Sequence, residues 1–176
     1  MSDDVKNIHS LWPLNIGDFQ NDNHPQIKEE LLNFFELYEK KLPDGNSQLR
    51  DKDHVGNHNL YQSNYDLHNE KSEILKKLFH FIAKSVLDVS KITNQKFIDK
   101  LNEKEKKYNV NINESWFIRY NKGGIVYPHH HDGFSWSCVY YVQVGEDANI
   151  NNGSTYFLRP FNRGSTHEGK PSSRPE

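Results

Sequence analysis

The chain is poor in cysteine, in long apolar runs and in excess charge of either sign. Its 176 residues include a single cysteine, Cys138, which excludes an internal disulfide framework and suits a reducing compartment. No apolar stretch approaches the roughly 20 residues that span a bilayer, and residues 1–10 lack the basic and then apolar run of a secretion signal. Lysine and arginine total 22 against 24 for aspartate and glutamate, a balance too even to attract phosphate backbones. We expect a soluble, cytoplasmic protein for which neither a membrane nor a nucleic acid is indicated as a partner.

The length fits a single domain, 1–176, whose first part we predict to be helical. Residues 1–107 form this helical support, with a short strand near 60–65. Pro25 suits the first turn of a helix, and Pro43 stands in the turn that ends it. Apolar residues recur at helical spacing in two stripes, which are Ile27, Leu31, Phe34, Phe35 and Tyr38, then Ile74, Leu75, Leu78, Phe81, Ile82 and Val86, with Phe97, Ile98 and Leu101 continuing the second.

The second part, 108–176, is predicted to form an antiparallel sheet. From Tyr108 onward apolar residues alternate with polar ones, which is typical of a half-buried strand. Residues 121–124 (NKGG) predict a hairpin turn. Further strands are predicted at 125–127, 136–144 and 155–158. Helices followed by strands favour an α+β fold in which the helices support one face of the sheet.

The histidine triplet of the sequence PHHHDG is the sharpest chemical feature. In an extended chain residues i and i+2 face the same side, so His129 and His131 can aim two imidazoles at one point. His130 and Asp132 form the alternative pair. Imidazole and carboxylate suit Fe(II), and a facial set of three such groups leaves positions open for a co-substrate and oxygen. A solvated polar cluster is the other interpretation of the triplet.

The sequence around the triplet resembles the 2-oxoglutarate/Fe(II)-dependent oxygenases found in marine bacteria and phages. The anchors occur in one order along residues 56–161 and are the segment ending YQS at 61–63, the tryptophan strand WFIRY at 116–120, the glycine turn KGG at 122–124, the pair His129 and His131, and the strand SCVYY at 137–141. Cys138 departs from the pattern, because the family usually has glycine or serine at this position.

This resemblance implies a double-stranded β-helix, or jelly roll, with iron in the barrel mouth and 2-oxoglutarate chelated to it. His129 and His131 would then be two iron ligands. A rival alignment fits the more widespread histidine-any-aspartate pattern and would instead use His130 and Asp132. The first alignment is preferred because the glycine turn and the serine-tyrosine strand follow it without a gap.

Two tyrosines are candidates to bind the carboxylates of 2-oxoglutarate. Tyr120 and Tyr141 each combine an apolar ring with a hydrogen-bond donor, which suits the wall of a barrel. The alternative is that both rings only fill the core.

The pattern has no clear third ligand. His167 and Arg174 are the only candidates for the distal histidine and the carboxylate-binding base, and both lie in a tail rich in glycine, serine and proline. The residues from Tyr108 onward are also too few for eight strands with turns, which need on the order of 80 to 100 residues. We therefore expect a jelly roll that lacks its last strands and is inactive as this chain. Either the chain is truncated, which is the preferred account, or it is a natural variant that has lost catalysis. Exposed sheet edges would allow a homodimer.

Three functions remain open at this point. The first is an oxygenase that couples oxidative decarboxylation of 2-oxoglutarate to hydroxylation of an unknown substrate. The second is a cupin-like β-sandwich that binds a divalent metal without redox chemistry. The third is a structural protein whose histidines are incidental. Metal content separates the third from the others, and a spectral change that depends on 2-oxoglutarate separates the first from the second.

Overall fold

A computed structural model describes residues 15–46, 57–104, 109–129, 131, 133–146, 148–149 and 152–157. Within these ranges the chain has an α+β fold with three α-helices and one two-stranded antiparallel sheet. The elements in chain order are α1 (His24–Lys41), β1 (Asn57–Gln62), a 3-10 turn (Leu67–Asn69), α2 (Glu73–Thr93), α3 (Gln95–Glu103) and β2 (Ile118–Val126).

Helix α1 begins and ends where the sequence predicts. Pro25 lies in its first turn, where a missing backbone N–H leaves no helical hydrogen bond unmade. The backbone carbonyl of Asn21 accepts a hydrogen bond from the His24 N–H at 2.8 Å. The helix N-terminus is therefore stabilised by a backbone hydrogen bond and not by a side-chain cap. The Leu42 N–H donates to the Tyr38 carbonyl at 2.9 Å and makes the last helical bond, and Pro43 then prevents continuation.

The core lies between α1, α2 and the 3-10 turn. Its buried side chains are Ile27, Leu31, Tyr38, Leu67, Ile74, Leu75 and Leu78. Most belong to the two stripes predicted from helical spacing, so the prediction of the apolar helix faces is confirmed. Burying each large aliphatic side chain contributes about 1.5–3 kcal/mol, so this cluster dominates the stability of the described residues.

The sheet packs on the helices through Phe117, the residue before β2. Its ring stacks on Phe35 at a centroid distance of 4.4 Å and meets Tyr38 edge-on at 5.6 Å. From the sheet side, Tyr61 of β1 approaches the same ring at 5.4 Å. Arg119 adds a two-pronged ion pair to Glu39 of α1. The expected α+β class is therefore confirmed, with α1 packed against the sheet.

The predicted hairpin turn at 121–124 is wrong. The strands pair antiparallel with Leu60 opposite Tyr120 and His58 opposite Ile125, so residues 121–124 bulge out within β2 opposite Asn59 alone. Asn59 adopts a left-handed φ of 53° and donates from its side-chain amide to the Lys122 carbonyl at 2.7 Å. Gly123 and Gly124 therefore belong to a β-bulge, which increases the local twist, and the chain does not reverse its direction there.

The predicted strand at 136–144 is not a strand in the structure, which assigns no regular secondary structure to segment 136–144. Burial alternates only in its middle, where Tyr140 and Val142 pack on the core while Val139 and Tyr141 are exposed. The backbone has no ladder partner within the described residues, and a strand requires one. Residues 155–157 likewise lie outside any strand.

The described sheet has two strands and is not closed, so no jelly roll is seen in this part of the chain. The start of the predicted sheet at Tyr108 and the tail from 158 onward lie outside the described residues. The predicted homodimer through sheet edges stays a prediction. None of the described helices is long and apolar enough to cross a membrane.

Candidate metal centre

The two preferred histidines come together just beyond the end of β2. The Nε2 atoms of His129 and His131 lie 3.2 Å apart, and their ring centroids are separated by 4.9 Å in an edge-to-face arrangement. Two nitrogens at about 2.1 Å from one ion and 3.2 Å from each other would subtend an angle of about 100° at the ion, close to that of neighbouring ligands in a metal site. The i, i+2 spacing therefore places both donors at metal-binding separation.

A backbone carbonyl sets the tautomer of His129. Its Nδ1 lies 2.9 Å from the carbonyl oxygen of Tyr127. Because a carbonyl only accepts, Nδ1 carries the proton and the lone pair is on Nε2, which accepts a hydrogen bond from the Nε2–H of His131. Binding of one ion by both Nε2 atoms requires that proton to leave the Nε2 of His131. Metal-binding histidines usually donate their other N–H to such a partner, which orients the ring and raises its basicity.

The residues present fit an iron ion only in part. Two neutral imidazoles suit Fe(II), but a facial set needs a third donor. No group of three histidine, cysteine, aspartate or glutamate side chains that could hold a metal occurs in the described part of the chain. His130 and Asp132, the rival pair, lie outside the described residues, as do His167 and Arg174. The choice between the two alignments stays a prediction.

The two candidate tyrosines are partly exposed neighbours. Tyr120 in β2 is 53% exposed and Tyr141 in segment 136–144 is 49% exposed. Partial burial raises the pKa of Tyr120, and repulsion from the Tyr141 phenol raises it further. The Tyr141 hydroxyl is hydrogen-bonded to that of Thr155. Tyr120 therefore stays protonated around neutral pH and can donate a hydrogen bond to a carboxylate.

No local pattern predicts the contacts that fix the segment carrying Tyr141. The hydroxyl of its neighbour Tyr140 accepts from the Asn21 amide at 3.1 Å and lies 2.8 Å from the His24 Nδ1. Phe81 of α2 packs edge-on against the same ring at 5.9 Å. These partners are far from Tyr140 along the chain and match no local pattern, so sequence reasoning missed them.

Comparisons with protein-family models, with curated proteins and with solved structures find no significant match to this chain. The histidine pair and its surroundings are therefore the features from which a function is inferred.

Proposed function

We propose that His129 and His131 bind an iron ion and that the chain is part of an Fe(II)/2-oxoglutarate-dependent oxygenase. The observation that carries the proposal is the 3.2 Å separation of the two Nε2 atoms, with Nδ1 of His129 bonded to a backbone carbonyl. In this class the bound iron supplies oxygen activation coupled to decarboxylation of 2-oxoglutarate, which leads to hydroxylation of a substrate.

The protein's own part in this function is to bind and to orient. His129 and His131 would supply two nitrogen donors to the ion, and an oxygenase needs the remaining positions for a third ligand, the co-substrate and oxygen. We propose that Tyr120, which is protonated at neutral pH, donates a hydrogen bond to a carboxylate of 2-oxoglutarate, with Tyr141 nearby. The third ligand is proposed to come from outside the described residues.

The jelly roll belongs to the same proposal. Two observations support it: β1 and β2 pair antiparallel with a helix on one face, and burial alternates over residues 139–142 within segment 136–144. We propose that this segment becomes a strand when further strands of the barrel pair with it.

The test is an anaerobic titration of the purified chain with Fe(II), with and without 2-oxoglutarate, followed by visible absorption. A charge-transfer band that needs both components is the expected result. His129→Ala and His131→Ala should each abolish it, whereas His80→Ala, which removes an exposed histidine from α2, should not. If His130→Ala and Asp132→Ala abolish the band while the first two variants keep it, the rival alignment is correct.

A second candidate is a cupin-like module that binds a metal without redox chemistry. This candidate uses the same pair of Nε2 atoms and needs no binding site for 2-oxoglutarate. Stoichiometric metal binding that depends on His129 and His131, with no spectral change on adding 2-oxoglutarate, would select this function. Absence of specific metal binding would reject both proposals and leave a structural role.

A further inference from the structure

The indole of Trp116 lies against His131. The two ring centroids are 5.8 Å apart and the planes are inclined by 39°. On the indole, Tyr65 packs edge-to-face at 4.8 Å. Trp116 is half-buried, whereas both histidines are exposed. The indole is thus the more enclosed member of the ring contact with His131.

The backbone on each side of Trp116 is tied to the segment that follows β1. Before it, the Ser115 N–H donates to the Tyr65 carbonyl at 2.9 Å. After it, the Phe117 N–H donates to the Ser63 hydroxyl at 3.0 Å, and the Ser63 N–H returns a bond to the Phe117 carbonyl at 3.1 Å. Ser63 is fully buried. Bonds on both sides fix the direction of the Trp116 side chain.

Each histidine has a contact that restricts its ring. His129 is oriented by its hydrogen bond to the Tyr127 carbonyl. His131 shows a ring contact with Trp116 in addition to its approach to His129. An exposed imidazole without such a surface samples several rotamers, and only some place Nε2 near the other ligand.

We propose that Trp116 is a positioning residue that restricts the His131 ring to the rotamer in which its Nε2 meets that of His129. This inference builds on the proposed role of the pair as metal ligands. Trp116 does not itself bind the ion. It lowers the entropy lost by His131 on binding, and an aromatic contact of this kind is worth about a 3- to 10-fold change in affinity.

The first experiment measures binding of Co(II) alone by calorimetry to the full chain. Trp116→Ala should weaken binding about 3- to 10-fold, and Trp116→Phe should restore most of the affinity because a ring is present again. Trp136→Ala, which removes a half-buried tryptophan from segment 136–144, is the matched control and should bind Co(II) as the unchanged chain does. Equal affinities for Trp116→Ala and the unchanged chain would overturn the proposal.

The second experiment needs no metal. Ring protons of His131, assigned by comparison with His131→Gln, should carry a ring-current shift from the indole that disappears in Trp116→Ala, while those of His129 change little. Unchanged His131 signals would overturn the positioning role. If Trp116→Ala does not fold, Trp116→Leu, which keeps volume without a ring, replaces it with the same expected outcomes.

The two experiments separate this inference from the proposed function. Co(II) binding that persists in both His129→Ala and His131→Ala contradicts the proposed metal site, whatever Trp116 does. Loss of binding in these variants, combined with unchanged binding and unchanged His131 signals in Trp116→Ala, contradicts only the positioning role.

Discussion

Similar apolar side chains have opposite environments in the two regions of this molecule. In the helical region Leu31 and Leu75 are 0% and 1% exposed, whereas Val139 and Val144 beyond β2 are 66% and 55% exposed. A helix makes its backbone hydrogen bonds internally and needs a partner on one face only. A strand needs partners for its backbone as well as its faces. The helical region therefore forms a buried core within the described residues, whereas Val139 and Val144 are exposed there.

The largest expected difference is between core positions of the two regions. Leu31→Ala should lower the free energy of unfolding by about 2–5 kcal/mol, because it leaves a cavity in the buried cluster. Val139→Ala should change it by less than about 0.5 kcal/mol. Urea unfolding followed by circular dichroism measures both. A large effect at Val139 would show that segment 136–144 is buried in solution, so that the two regions would not differ in burial.

The bulge in β2 provides a sharper test within the sheet. A β-carbon added at Gly124 would lie 2.5 Å from the Asn59 carbonyl oxygen, so Gly124→Ala should destabilise the strand pair by about 1–3 kcal/mol. Gly123, with φ of 75°, has nothing within 4 Å of such a carbon, and Gly123→Asn should be tolerated because asparagine adopts this conformation. Amide hydrogen exchange of β1 and β2 reports the result. Equal protection in the two variants would contradict the bulge.

The Tyr140 hydroxyl hydrogen-bonds segment 136–144 to Asn21 and His24, and the Tyr140 ring packs on Phe81. Tyr140→Phe leaves the nearly buried Asn21 amide without its acceptor and should cost about 1–3 kcal/mol. Tyr141→Phe, at the exposed neighbouring position, should cost less than about 0.5 kcal/mol. Urea unfolding gives both values, and the reverse order would mean that the segment packs with its other face inward.

The smallest expected effect concerns the ion pair that joins the regions. A hydrogen bond from Arg119 lowers the pKa of Glu39 below its ordinary value near 4.5. The pair's contribution is therefore fully present above that ordinary pKa and is lost as the pH falls through the lower, folded-state pKa. Exposure limits it to less than about 1 kcal/mol.

Glu39→Gln should remove this acid-side dependence of the unfolding free energy, measured in urea at a series of pH values at low salt. Glu36→Gln, which breaks a pair with Lys40 inside α1, is the matched control. If both variants show the same pH profile as the unchanged chain, the link between Glu39 and β2 is not formed in solution.

Local patterns predicted the helices well and the sheet poorly. The stripes of Ile27 to Tyr38 and Ile74 to Val86 match α1 and α2, because helical hydrogen bonds join residues four apart and leave a local signature. Residues 121–124 look like a turn, yet they bulge opposite Asn59, because the partner of β2 is β1. The alternation of residues within a strand does not show which distant segment pairs with it.

The sequence alone determined the α+β class, the helical stripes and the i, i+2 spacing that lets His129 and His131 face one point, because each follows from backbone periodicity. Only the tertiary structure decided that a carbonyl orients His129, that Trp116 packs on His131 and that Asn21 and His24 hold Tyr140. Except for the Tyr127 carbonyl, these partners come from distant parts of the chain, and their contacts form only when helices and strands pack together.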